Sequence, residues 1–218
     1  MNSKTIPTTF RFSFHWLVLF LAVGGALAEP NKDYPKIDDT SSSEPNGNRV
    51  IRLSAEIAAS PEQIWRALTT SEGWKSFAVA FASVDMQVGG IIETSYDPKA
   101  KPGDPDNIRN EIVAYVPGRI LAIRCVQAPR NFEHKQEFFA TSTLIEVVPL
   151  KKRKTRVVLT AAGYRPGEAY DALFKKFRWG DAYTLDKLRT RFEPGGRRVS
   201  SLSPTVSRPG ARNEERAR

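Results

Sequence analysis

The 218 residues include two histidines, His15 and His134, and one cysteine, Cys125. A nucleophile–histidine pair needs an imidazole beside a serine or thiol, with an acid to orient it. His134 sits in the polar stretch Asn131 to Gln136 with no such partner in view, and it reads as a solvated loop residue. Cys125 falls in the apolar run Arg119 to Gln127 and reads as a small buried hydrophobe. Arg124 adjoins it, but successive strand residues point to opposite faces, so the charge is not placed to activate the thiol. One cysteine also excludes an intrachain disulfide and a zinc or iron–sulfur pattern. A metal centre would have to be built from carboxylates, and no spaced acidic cluster is present. Glu93 and Glu111 would form an acid–base pair if both faced one interior. Alternation puts Ile92, Thr94 and Tyr96 on the inner side and Glu93 outside, among solvent, and leaves Glu111 ambiguous. No catalytic residue, metal site or cofactor is therefore expected.

The stronger chemical signal is apolar. The chain carries 12 Phe, 6 Tyr and 4 Trp, and most of them must pack a core. A subset, joined by a few hydroxyls, would line a pocket that is mainly apolar with sparse polar groups, the usual make-up of a small-molecule site. The candidates for that lining are Phe77, Ile92, Tyr96, Tyr115, Ile123, Thr141, Thr143, Phe174 and Trp179.

The elements that must position them follow from periodicity. Period-two alternation predicts strands over 50–57, 82–88, 90–96, 108–116, 119–127, 139–148 and 155–162. Gly89-Gly90 and Pro117-Gly118 mark tight turns, and 97–107 and 128–137 are polar loops. After the first strand, Ser60-Pro61-Glu62-Gln63 is an N-cap, a first-turn proline and a capping box. It opens a short helix ended by Thr69-Thr70-Ser71, where a second short helix begins. Residues 167–192 carry apolar side chains at helical spacing, with a break expected at Gly180. The fold class is α+β: an antiparallel sheet of about 6–7 curved strands wrapped around one long C-terminal helix. A curved sheet gripping one helix leaves a gap between them.

The ends have a different character. Lys4 and Arg11 precede the apolar stretch Phe14–Val23, and Ala26-Leu27-Ala28 closes it, the pattern of a cleavable signal peptide over 1–28. Export to a periplasm or the outside is the expectation, with an uncleaved anchor as the rival reading. Residues 29–48 read as a disordered linker and 194–218 as a disordered basic tail, around a domain over 49–193. The net charge of +9 falls to +7 without the leader, and the tail holds +4 of that. A mildly basic domain excludes nucleic acid as the expected partner. The tail is suited to weak contact with an anionic membrane surface.

Three stretches carry a family resemblance: SPEQIWRALTTSEGWKSF (60–77), DMQVGG (85–90) and EIVAYVPGRILAIRC (111–125). In this order they resemble the START-like, or helix-grip, superfamily (SRPBCC proteins), in the branch named for the activator of Hsp90 ATPase homologue. The resemblance spans about 50–193. It implies a helix-grip fold with two short helices after the first strand and an internal cavity. Gln87 stands where that branch has arginine, and its Gly-Trp at the last helix is here Trp179-Gly180. The superfamily includes lipid carriers, hormone receptors, polyketide cyclases and co-chaperones, so the resemblance points to a fold before a function.

Three readings follow. The first and preferred one is a monomeric, non-enzymatic exported protein that binds a hydrophobic, lipid-like or aromatic small molecule. The second is a cyclase- or hydrolase-type enzyme using the same cavity. The third is a protein-interaction module with no ligand. Export is checked by N-terminal sequencing and intact mass of the protein made in a secreting host. The expected first residue is Glu29; a chain that keeps Met1 and pellets with membranes identifies residues 1–28 as an anchor instead.

Overall fold

Each alternating run forms a strand in the computed structural model, which describes residues 33–195. The expected leader, and the tail from residue 196 onward, lie outside the described residues. In chain order the elements are β1 (Asp38–Asp39), β2 (Ser42–Ser43), β3 (Arg49–Ile57), α1 (Pro61–Thr69), α2 (Ser71–Lys75), β4 (Phe81–Val84), β5 (Ile91–Ser95), β6 (Ile108–Val116) and β7 (Ile120–Gln127). They continue with α3 (Lys135–Phe139), β8 (Ser142–Pro149), β9 (Thr155–Tyr164) and α4 (Glu168–Arg191). All nine strands join one antiparallel sheet in the order β1-β3-β9-β8-β7-β6-β5-β4, with β2 also paired to β3. Register shifts in β3 at Arg49/Ile51 and in β6 at Arg109/Asn110 and Ile112/Ala114 bend the sheet.

The bend gives the sheet a concave face, and α4 covers one end of it. Ile51, Leu53, Ala55 and Ile57 alternate inward along β3 and are buried, as are Leu173, Ala182, Leu185 and Leu188 of α4. At 24 residues, α4 is about 36 Å long. The expected break at Gly180 is absent. The helix runs through it, and Thr184 Oγ1 donates to the Gly180 carbonyl at 2.9 Å. A mid-helix glycine costs about 0.5–1 kcal/mol, less than the burial on either side supplies.

The opposite end is closed by α1 and α2. The capping box forms as expected, with Gln63 N–H donating to Ser60 Oγ and Ser60 N–H to Gln63 Oε1. Thr70 caps α2 by accepting from Gly73 N–H at 3.0 Å. Gly73 is required there, because a Cβ would stand 2.4 Å from the Ala67 carbonyl oxygen.

Two further expectations are corrected. The strand predicted from Phe139 begins at Ser142, because Lys135–Phe139 form the short helix α3. The turn after α3 presses on β9, where Gly163 (φ +104°) leaves room for the Ala140 carbonyl; a Cβ there would lie 2.6 Å from it. The second correction concerns 29–48, predicted as a disordered linker. Residues 33–48 instead pack onto the domain, with Asp38–Asp39 and Ser42–Ser43 on the sheet edge and Asp33 and Tyr34 against α4. Asp38 and Asp39 pair with Ser54 and Leu53 of β3, and Thr40 N–H donates to Arg52 O at 2.8 Å. Ile37 is 1% exposed, and the buried Asp39 carboxylate is paired with Arg178 of α4. Composition masked this, because one apolar anchor among polar residues leaves no periodic pattern. Replacing Ile37 by alanine should therefore cost about 2–5 kcal/mol in chemical denaturation. A linker residue would change the midpoint negligibly.

Candidate functional site

Between the concave sheet and α4 lies a cavity of about 370 Å³. Its floor comes from inward-facing residues of the middle strands: Thr94 on β5, Ile108 and Asn110 on β6, Ile123 and Cys125 on β7, Thr143 and Ile145 on β8, Val157, Leu159 and Tyr164 on β9. One wall is Leu68, Trp74 and Phe77, from α1 to just past α2. Trp74 stacks on Phe77 at 5.4 Å and fixes its tilt by donating from Nε1 to Leu68 O at 2.8 Å. The other wall is α4, through Lys176, Phe177, Asp181, Thr184, Leu185 and Leu188.

The mouth is aromatic. Phe138 of α3 stacks on Phe177 at 4.4 Å, and Phe132 packs on Phe138 at 5.2 Å. Lys176 Nζ stands 4.1 Å from the centre of the Phe132 ring, a cation–π contact. Tyr96, half exposed, also lines the cavity.

Of the nine residues expected to line a cavity, Phe77, Tyr96, Ile123, Thr141 and Thr143 do so. Four do not. Ile92 is fully buried in the core cluster, sealed within the sheet. Tyr115 packs against the core from the distal part of β6. Phe174 is edge-on to Tyr164 at 5.4 Å and lies under the Arg49 guanidinium. Trp179 is exposed on the far side of α4, stacked on Tyr183 at 5.7 Å and donating from Nε1 to Asp33 at 3.1 Å. Trp179 lies about half a turn around α4 from the inward stripe of Phe177, Asp181, Leu185 and Leu188, whereas Phe174 lies on the side of that stripe but one turn nearer the helix start, where Tyr164 and Arg49 cover it.

The carboxylates divide sharply. Glu111 faces out and pairs with Arg124 at 2.8 Å. Glu93 also points to the convex face, but it is buried rather than solvated, a correction to the sequence reading. Loop 97–107 folds over it, and its Oε1 accepts from Gly103 N–H and Asn107 Nδ2, each at 2.8 Å. The loop is pinned outside the sheet and contributes nothing to the cavity lining.

Asp181 is the cavity-lining acid that sequence reasoning missed. It faces the cavity and, among the described residues, receives no hydrogen bond and no ion pair. Burial alone pushes its carboxyl up to about 7. The Tyr164 hydroxyl is pushed up by burial and then by the Asp181 charge. The Tyr96 hydroxyl is pushed up by burial, then by Tyr183 and Asp181. The signal was present in sequence: one acid on the apolar stripe of a helix, at i+4 from Phe177 and i−4 from Leu185. Cys125 lines the cavity with its thiol pushed up to about 12 by burial, so it is not a thiolate near neutrality. His134 is exposed, as expected. No group of three or more potential metal ligands occurs among the described residues, and none of their helices is long and apolar enough to cross a membrane.

The raised Asp181 carboxyl has a consequence for stability. Its ordinary value is 3.8, so between about pH 4 and 7 the folded chain holds a proton that the unfolded chain has released. Stability from this group is greatest at the acid end, falls as pH rises through that window, and is level above it. Asp181→Asn should flatten the slope and raise the melting temperature at pH 8 relative to the natural chain, as read by calorimetry across the pH series.

Residues 49–193 match the model of a family described as polyketide cyclase / dehydrase and lipid transport. No curated protein matches the chain. Among solved structures, the Aha1 dimer from Colwellia psychrerythraea superposes with a TM-score of 0.50 at 20% identity, covering 67% of this chain and 97% of that one. Protein MLL2253 from Mesorhizobium loti gives 0.52 at 19% identity, over 66% and 96% of the two chains. SSP2350 from Staphylococcus saprophyticus gives 0.51 at 15%, over 70% and 97%. At these identities the likeness is one of fold, and it is the helix-grip fold described above. With the match running the length of the domain, the chain belongs to the polyketide cyclase / dehydrase and lipid transport family of the START-like (SRPBCC) superfamily.

Proposed function

We propose that this protein is an exported, monomeric carrier that binds a hydrophobic, lipid-like or aromatic small molecule between its sheet and α4. The observation that carries the reading is the cavity itself, about 370 Å³ with mostly apolar walls. That volume is within the range that buries most of a small ligand. Binding would gain about 25 cal/mol for each Å² of apolar surface removed from water, while Thr94, Thr141, Thr143 and Thr184 orient the ligand by hydrogen bonding. Access is through the aromatic mouth at Phe132, Phe138 and Lys176, and not through loop 97–107, which Glu93 and Asn107 hold down. Lipid transport in the family's description supports a lipid-like cargo. The leader-like residues 1–28 support export, and the arginine-rich tail supports weak membrane contact.

A second reading, an enzyme of the cyclase or hydrolase kind, is favoured by one observation: Asp181 faces the same cavity as Tyr96 and Tyr164. A carboxyl that titrates near neutrality is suited to moving a proton. Native mass spectrometry of protein taken from its own envelope separates the two. A carrier should show a reproducible bound mass that is released unchanged on denaturation. A released mass that differs from the molecule supplied in a feeding experiment indicates turnover. An empty protein that takes up no fatty acid, isoprenoid or aromatic overturns the carrier reading.

A further inference from the structure

Two carboxylates, Glu93 outside the sheet and Asp181 of α4 facing the cavity, are treated differently. Glu93 is met by two donors from its own chain. Asp181, the sole acid among the described cavity-lining residues, is met by no donor among the described residues. The groups that face the same space are Tyr96 beyond β5, Asn110 of β6, Cys125 of β7, Tyr164 of β9 and Lys176 on α4 itself. Lys176 is engaged with the Phe132 ring and forms no ion pair with Asp181. Phe177 and Leu185, one turn to either side, are apolar.

An empty cavity lets water solvate the Asp181 carboxylate. Filling it with a wholly apolar molecule would strip that water and leave a buried charge uncompensated, a cost of several kcal/mol or a forced protonation. A ligand carboxylate would set like charge against like. A ligand that brings its own donor restores the missing hydrogen bond, and a bond to a charged group is among the stronger ones. We infer that the cavity takes amphiphiles whose buried head donates a hydrogen bond to Asp181, amines and alcohols in preference to carboxylic acids and esters. This rests on the carrier reading and gives its ligand a chemical class.

The test uses one chain length with four heads: decylamine, decan-1-ol, decanoic acid and methyl decanoate, each below its aggregation concentration. Binding to the mature protein is measured by titration calorimetry at pH 8.5, where Asp181 is ionised. The amine and the alcohol should bind about tenfold or more tightly than the acid and the ester. Asp181→Asn should remove the penalty on the acid and reduce the advantage of the amine. If that variant does not fold, the natural chain at pH 5.5 provides the same comparison, because Asp181 is then protonated while decanoic acid stays largely ionised. There the acid should gain on the amine. Equal binding of all four heads, or a preference for the acid at pH 8.5, overturns the inference and leaves the carrier reading standing. Binding of none of the four overturns both.

Discussion

The packing of α4 against β3 and β9 is the contact on which the rest of the molecule depends. Leu173, Ala182, Leu185 and Leu188 meet Ile51, Leu53, Ala55 and Ile57 at one end of a sheet that is bent by bulges. A straight helix cannot follow a concave surface over its whole width. Once α4 is seated at one end and α1–α2 at the other, the middle strands face a space that no element fills. The cavity is thus a geometric result of layering one helix on a curved sheet.

The N-terminal segment reinforces that seating. Ile37 is driven into the core, Asp39 binds Arg178, and Tyr34 packs 5.9 Å from Trp179 and 6.2 Å from Tyr183. Trp179 and Tyr183 lie on the side of α4 away from the cavity-lining stripe. The aromatic residues of the helix therefore divide by face. Phe177 belongs to the mouth, while Trp179 and Tyr183 belong to the clasp.

Hydrogen-bond satisfaction distinguishes structural polarity from site polarity. On the convex face, Glu93, Asn107 and Gln127 form a closed network that fixes loop 97–107. Facing the cavity from α4, Asp181 has no such partner among the described residues, and the lining around it is mainly apolar. A cavity-facing carboxylate left unmatched by its own fold lies where a ligand would reach it.

The elements were legible in the sequence because short-range rules govern them. Alternation placed all seven long strands, the Ser60–Gln63 box placed the start of α1, and the two glycine-containing turns placed the hairpins. Five of the nine lining residues followed from alternation or from sitting beside those elements. What sequence could not decide were relations between distant segments. Whether 33–48 lies on an edge depends on β3 offering unpaired backbone groups. Whether Phe174 or Phe177 borders the void depends on which turn of α4 meets Tyr164 and Arg49, and it is the turn at Phe174 that they cover. Whether Glu93 is solvated depends on a loop that returns over it. The one-dimensional pattern determined which residues become strand, helix and turn; the packing of α4 on a bent sheet decided which of them surround a void, because a void is a property of surfaces that meet across the fold.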